Sequence, residues 1–337
     1  MSVLGETLAA IDAPDAAIAA DARRAIDAKT KPRGSLGRLE ELAVLIASIR
    51  RTLDIGPLRT AVVVAAADHG VASEGVSAYP QEVTREMVAN FRAGGAAICV
   101  LARLADAALH VVDVGVGAGT NNLAVGPAMT RQEAVTLVER GIAYARELEA
   151  EGFDVIALGE MGIANTTAAA AVCAALLRVD AAAVCGAGTG LDAEGIARKE
   201  SVVERALKVN APDPDDAISV LAAVGGFELA FLCGLALGGA AERLVLVLDG
   251  FIVGAAALAA VRLSPLVARS MIAAHVSTER GHRLVLQELG LEPLLELGLR
   301  LGEGSGAALA LPLINASVAV LEEMATFESA GVTDAGR

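Results

Sequence analysis

Four short runs rich in β-branched residues constrain this chain more than any other feature: AVVVAA at 61–66, LHVVDV at 109–114, DVIALG at 154–159 and LVLVLD at 244–249. Each has the length of a strand, and longer stretches with helical spacing lie between them. Strands alternating with helices in one chain predict parallel β-α-β units. The runs are continuous rather than alternating, which predicts strands buried on both faces. MIAAH at 271–275 is a weaker fifth candidate. The expected fold class is α/β, a parallel sheet with helices on both faces.

The composition says what fills such a core. Hydrophobic residues make up 55% of the 337, but aromatic residues only 2%, so the interior is built from Ala, Val, Leu and Ile. The length holds one large domain and a small one. The two most apolar stretches, 221–240 and 245–261, are interrupted by Glu228 and five glycines and by Asp249-Gly250. Neither is a clean span of about 20 apolar residues, so no membrane partner is expected. The balance of 27 basic against 41 acidic residues, −14, gives no basic footprint for nucleic acid. The N-terminus is acidic at its start and does not read as a signal peptide. Cys99, Cys173, Cys185 and Cys233 are widely spaced with no C-x-x-C pair, which fits buried thiols in a reducing, cytoplasmic compartment.

Residues 6–50 read as helical, broken around Lys31-Pro32-Arg33-Gly34-Ser35. Pro80 fits a helical first turn, with Val83, Met87 and Phe91 following and Gly94-Gly95 as the stop. A further helix is expected from Asn165-Thr166-Thr167 to Leu177. The tail, 329–337, is expected to fray.

Polar and glycine residues gather where the strands end: Asp68-His69-Gly70, Asp113-Val114-Gly115, Gly159-Glu160, Asp249-Gly250 and His275-Val276-Ser277. Open parallel sheets bind ligands outside their carboxyl ends, so this rim is the candidate site. Common nucleotide motifs do not fit. DVGVGAGT at 113–120 has Thr120 where a G-x-G-x-x-G fingerprint needs glycine, and no G-K-[S/T] or H-E-x-x-H occurs. His69, His110, His275 and His282 lack zinc spacing, so no metal or cofactor is expected. GEMGIANTT (159–167), GAGTGLD (186–192) and RLGEGSGAAL (300–309) can each wrap backbone N–H groups around an anion.

Several ordered motifs then become specific. KPRGSLGRLEELA (31–43), ADHGVASEGVSAYPQEVT (67–84), GEMGIANTT (159–167), DGF (249–251), HVSTERGH (275–282) and RLGEGSGAALA (300–310) resemble the nicotinate-nucleotide–dimethylbenzimidazole phosphoribosyltransferase family. The match runs from about Lys29 to Phe327 in the family's order. The resemblance implies phosphoribosyl transfer from nicotinate mononucleotide to 5,6-dimethylbenzimidazole, giving α-ribazole 5′-phosphate and nicotinate during cobalamin assembly. It also implies a homodimer, a Rossmann-like parallel sheet, a small helical domain from both chain ends (1–58 and 285–337) and a large α/β domain (59–284).

Transfer of this kind leaves the attacking heterocycle with a proton to lose, which a positioned carboxylate can take. By resemblance that base is Glu303, and Glu160 is a second glutamate lining the ribose site. Taken alone, Glu303 also reads as a first-turn glutamate favoured by a helix dipole, and Glu160 as a turn or capping residue. The resemblance places phosphate at Gly162 and the N–H groups before Asn165, with Lys199 adding charge; a solvated helix lysine is the alternative. Tyr79, Pro80 and Met87 match positions near the aromatic acceptor, with Leu301 a further contact. Pro80 and Met87 equally suit an ordinary helix. Asp249 and Ser277 map near the ligands, with structural capping open for both. The chain departs from the family pattern at Ala187, where many members carry arginine, and at Ala67 and Ala274. A phosphorylase-like N-glycosyl transferase and a non-catalytic binder of a benzimidazole or its riboside are the rival functions.

Overall fold

The computed structural model describes residues 2–333. The amino-terminal part is helical: α1 (Val3–Ala10), α2 (Ala16–Asp27) and α3 (Arg38–Arg50). The expected interruption before α3 is present, and there is a second between α1 and α2. There the Asp15 side chain caps α2 by accepting the N–H groups of Ala17 and Ile18. The loop between α2 and α3 is pinned by a buried pair, Lys31 Nζ to Glu40 Oε1 at 2.8 Å, and Glu40 also accepts the Leu36 N–H.

All five candidate runs form strands. They are β1 (Thr60–His69), β2 (Ala108–Thr120), β3 (Val155–Met161), β4 (Val245–Leu248) and β5 (Met271–Ala273). They make one parallel sheet in the order β2-β1-β3-β4-β5. Between β1 and β2 lie α4 (Val83–Arg92) and α5 (Ala97–Leu104), and α6 (Arg131–Ala150) connects β2 to β3. Five helices separate β3 from β4: α7 (Asn165–Leu177), α8 (Ala181–Val184), α9 (Ala193–Asn210), α10 (Ala217–Val224) and α11 (Phe227–Ala241). Then come α12 (Phe251–Leu263), α13 (His282–Leu289), α14 (Ser305–Glu323) and α15 (Phe327–Ala330).

The period-two geometry of a strand is visible in β1, where one face of the sheet packs separately from the other. Ala61, Val63 and Ala65 enter the core made with α6, α7, α10, α11 and α12, while Val62, Val64 and Ala66 enter the core made with α3, α4, α5 and α14. Burial on both faces therefore holds for β1, β3, β4 and β5, with only Met161 at the end of β3 half-buried. It fails for β2, which is an edge strand and largely half-exposed. With β1 on one side only, β2 has no second neighbour, whereas at the other edge the Leu294 and Leu295 N–H groups donate to the carbonyls of Ala273 and Ala274 and cover β5.

An aromatic-poor core needs another way to bring helices together. Between α6 and α11 the close approach is made by glycine: a Cβ on Gly141 would overlap the Phe231 carbonyl, and one on Gly234 would overlap the Val138 carbonyl. Backbone packs directly on backbone there.

By length and composition alone, 83–104 and 305–323 would reach across a bilayer. The first is divided into α4 and α5, with Gly94 at φ 76 ending α4's last turn. The second carries Pro312 and buries Ala307, Ala308, Leu311 and Ile314 in the core. Helix α4 begins at Val83, so Pro80 sits in the turn before it, its carbonyl accepting the Val83 N–H. Within the tail, Ser329 and Ala330 belong to α15, whose Thr326 and Ser329 form a capping box; 334–337 lie outside the described residues.

Candidate active site

The strand order reverses between β1 and β3, which opens a crevice at the carboxyl rim of the sheet. A cavity of about 740 Å³ lies there, within the range of ~300–1,000 Å³ usual for small-molecule sites. Tyr79, Met87, Glu160, Gly162, Asn165, Ser277, Leu301 and Glu303 all line it, although they come from five separate segments. Tyr79 and Leu301 are exposed at its mouth.

Glu160 closes β3 and is buried. Its carboxylate accepts from Asn165 Nδ2 at the start of α7. Burial, then the neighbouring Asp249 carboxylate, push its pKa from 4.5 to about 8, against the Asn165 hydrogen bond. Asn165 therefore does not cap α7; its side chain holds the acid instead.

Glu303 reaches the same cavity from the loop before α14. It has φ 64 and sits between Gly302 at φ 81 and Gly304 at φ 84, three successive left-handed residues. The strand beneath must be small for this loop to settle: a Cβ on Gly159 would lie 2.7 Å from Gly304 N. Gly302 in turn leaves room for Glu160, whose Oε1 a Cβ would overlap. The two acids are thus neighbours, and Glu303 adds to the cost of ionising Glu160 where water is excluded. Burial and Asp249 push the Glu303 pKa above the ordinary range, opposed by a hydrogen bond from the Ile98 N–H of α5. Its other oxygen, Oε2, is buried with no protein partner.

Three more buried polar atoms of wall residues lack a protein partner, His275 Nδ1, Ser277 Oγ and Glu279 Oε2. Buried polar groups are nearly always hydrogen-bonded, so four unpaired atoms around one cavity point to a polar ligand. Ser277 is held by its N–H, which donates to His282 Nδ1 at 2.9 Å. Burial and the adjacent His275 lower the His282 pKa to about 3, so that ring is a neutral acceptor.

Three expected contacts are not on the wall. Pro80 lies in the turn next to Tyr79. Lys199 is buried one layer back, where Nζ donates to Thr166 Oγ1 and the Gly186 carbonyl at 3.1 Å each, and burial lowers its pKa. It ties the 186–190 loop to the head of α7, from which Asn165, Thr166, Gly188 and Thr189 face the cavity. Asp249 is 1% exposed and accepts the N–H groups of Gly304 (3.1 Å), Gly306 (2.7 Å) and Ala307 (3.1 Å). Its oxygens serve the start of α14, where backbone donors have no intrahelical acceptor.

Sequence reasoning missed other lining residues: His275, Glu279, Thr189 and Arg300. All four lie within or at the edge of the glycine-rich and HVSTERGH motifs, so the motifs marked the segments without marking which side chains turn inward. Arg300 is the one Lys or Arg among the described residues of the wall. Its guanidinium lies beside Gly190, in the loop that carries Ala187. Behind the wall, His69 Nε2 and Glu228 Oε1 pair at 2.9 Å, both fully buried, under Gly162.

Comparison with known proteins agrees with this geometry. A family profile described as phosphoribosyltransferase matches residues 11–332. Nicotinate-nucleotide–dimethylbenzimidazole phosphoribosyltransferases of Desulforudis audaxviator and Geobacter metallireducens are each 50% identical to this chain, with 99% and 98% of both partners covered. The crystal structure of CobT from Thermus thermophilus superimposes with a TM-score of 0.90 at 49% identity, covering 94% of this chain and 99% of that one. The chain belongs to the nicotinate-nucleotide–dimethylbenzimidazole phosphoribosyltransferase family.

Proposed function

We propose that this enzyme transfers the phosphoribosyl group of nicotinate mononucleotide to 5,6-dimethylbenzimidazole, with Glu303 as the base. The reading is carried by one observation: Glu160 and Glu303, 143 positions apart in the chain (303 − 160), open on the same cavity. The C1′–N bond of the nucleotide breaks with its electron pair going to the pyridinium nitrogen, releasing nicotinate. A benzimidazole nitrogen attacks C1′ from the opposite face, which inverts β to α geometry. The other ring nitrogen then loses its proton to Glu303, whose unpaired Oε2 is available to accept it. Glu160 faces the ribose, where a carboxylate offsets the positive charge that builds as the bond breaks.

The remaining walls divide the ligands by polarity. Tyr79, Val83, Met87 and Leu301 give the flat apolar base its surface. Phosphate fits the head of α7 with Gly162, Thr166 and Gly188, where helix N–H groups favour an anion. Arg300 supplies positive charge for an anionic group of the nucleotide in the place that Ala187 leaves without it. We also propose a cytoplasmic homodimer, in line with the four free buried cysteines and the exposed edge strand β2. A small helical part from both chain ends (1–58 and 285–337) beside a large part (59–284) is supported by the separate cluster of Ala22, Ile26, Ala43, Ala47 and Leu321 and by the Lys29–Thr326 bridge.

The test is Glu303→Gln. It keeps the shape of the site and is expected to bind nicotinate mononucleotide while losing about 10²–10⁴ in the rate of nicotinate release with a benzimidazole acceptor. Near-normal turnover would remove the base assignment.

A further inference from the structure

One acidic side chain at the rim takes no part in the reaction described above. Asp249 ends the β4 segment, buried, and gathers three backbone N–H groups from the start of α14. Helix termini are usually capped by a residue next to them, but the N-cap of α14 is Gly304, with no side-chain cap. The cap comes instead from a residue 55 positions earlier in the chain. Directly ahead of these bonds stands Glu303 in a left-handed conformation. A non-glycine residue persists there only where its surroundings hold it, and such strain gathers at functional sites.

We infer that Asp249 is the positioning residue of this site: from the end of β4 it clamps the first turn of α14, holds Glu303 in the conformation that turns its carboxyl to the cavity, and sets its own carboxyl group behind both glutamates. The inference rests on Glu303 being the base.

The charged and titratable groups around it come from every neighbouring element. Glu160 is on β3 and Glu303 precedes α14. His275, past β5, has Nε2 3.4 Å from Asp249 Oδ1, and its ring centroid is 6.0 Å from that of His282 on α13. Glu228 of α11 acts on Glu160 from below. After burial, Asp249 is the largest influence raising the proton affinity of Glu160, and it raises that of Glu303 too. A base with higher proton affinity is better matched to a heterocyclic N–H near neutral pH.

Asp249→Asn keeps the size of the side chain but removes its charge and one acceptor. We expect nicotinate mononucleotide KM to change little, kcat to fall about 10²-fold, as for a small misplacement of a reacting group, and the acid limb of the kcat–pH profile to move to lower pH by about half a unit or more. A fall in kcat with an unmoved acid limb would mean a merely structural role and overturn the inference, as would unchanged kcat. Asp249→Ser, which leaves a hydroxyl to accept one N–H, is the second variant. If neither folds, 13C-carboxyl glutamate NMR on the folded wild type and Glu160→Gln decides. Glu303 must still titrate above the ordinary glutamate range once Glu160 is neutral, and a return to that range overturns the inference. Failure of the base assignment is seen separately, as turnover by Glu303→Gln.

Discussion

A carboxyl group with a pKa near 8 carries its proton at neutral pH, so in the ligand-free enzyme Glu160 is mostly an acid rather than an anion. The nucleotide brings a positively charged pyridinium–ribose unit, which favours the ionised form. Binding is therefore expected to release a proton. Calorimetry at about pH 7 in buffers of different ionisation enthalpy should show a release approaching one proton per nucleotide, and Glu160→Gln should abolish it. Buffer-independent heats in the wild type would refute this. Both acids were legible in the sequence through the family resemblance of GEMGIANTT and RLGEGSGAALA; glycine neighbours alone left a capping or first-turn glutamate open. The work of Asp249 was not: its partners lie beyond 300, and only the folded sheet brings them to β4. Lys199 misled in the same way, matching a family position while its ammonium turned towards Thr166 and Gly186 rather than the cavity.

Elements were more legible than contacts. The four β-branched runs and the weaker one at 271–275 marked the five strands among the described residues, because continuous apolar segments of that length suit a sheet covered on both sides. What they did not mark was strand order, so the half-exposed edge position of β2 appeared only in the structure. The α6–α11 contact was also hidden. Gly141 and Gly234 read as ordinary small residues until their carbonyl neighbours were in place. Gly234→Ala puts a methyl group where the Val138 carbonyl already lies, and the helices must separate. We expect it to destabilise the fold by about 1–3 kcal/mol or more, measured as a lower urea midpoint; an unchanged midpoint would show that the pair can slide at no cost.

For the whole molecule, the acidic site trades against stability. Glu160 ionises at 4.5 in an unfolded chain and at about 8 in the native one, so the folded state binds the extra proton between these values. Its contribution is fully present below 4.5 and is lost as pH rises through about 8. Melting of the ligand-free wild type and Glu160→Gln across about pH 5 to about pH 8.5 should show the variant gaining relative stability with pH; a constant difference would contradict the shift. The separation of the two glutamates along the chain has a further consequence. While the protein is being synthesised, the segment with Glu160 is complete long before the one with Glu303. A growing chain therefore holds half a reaction centre until its last long helix docks, and cleavage anywhere between the halves is expected to end turnover rather than leave a weakened enzyme.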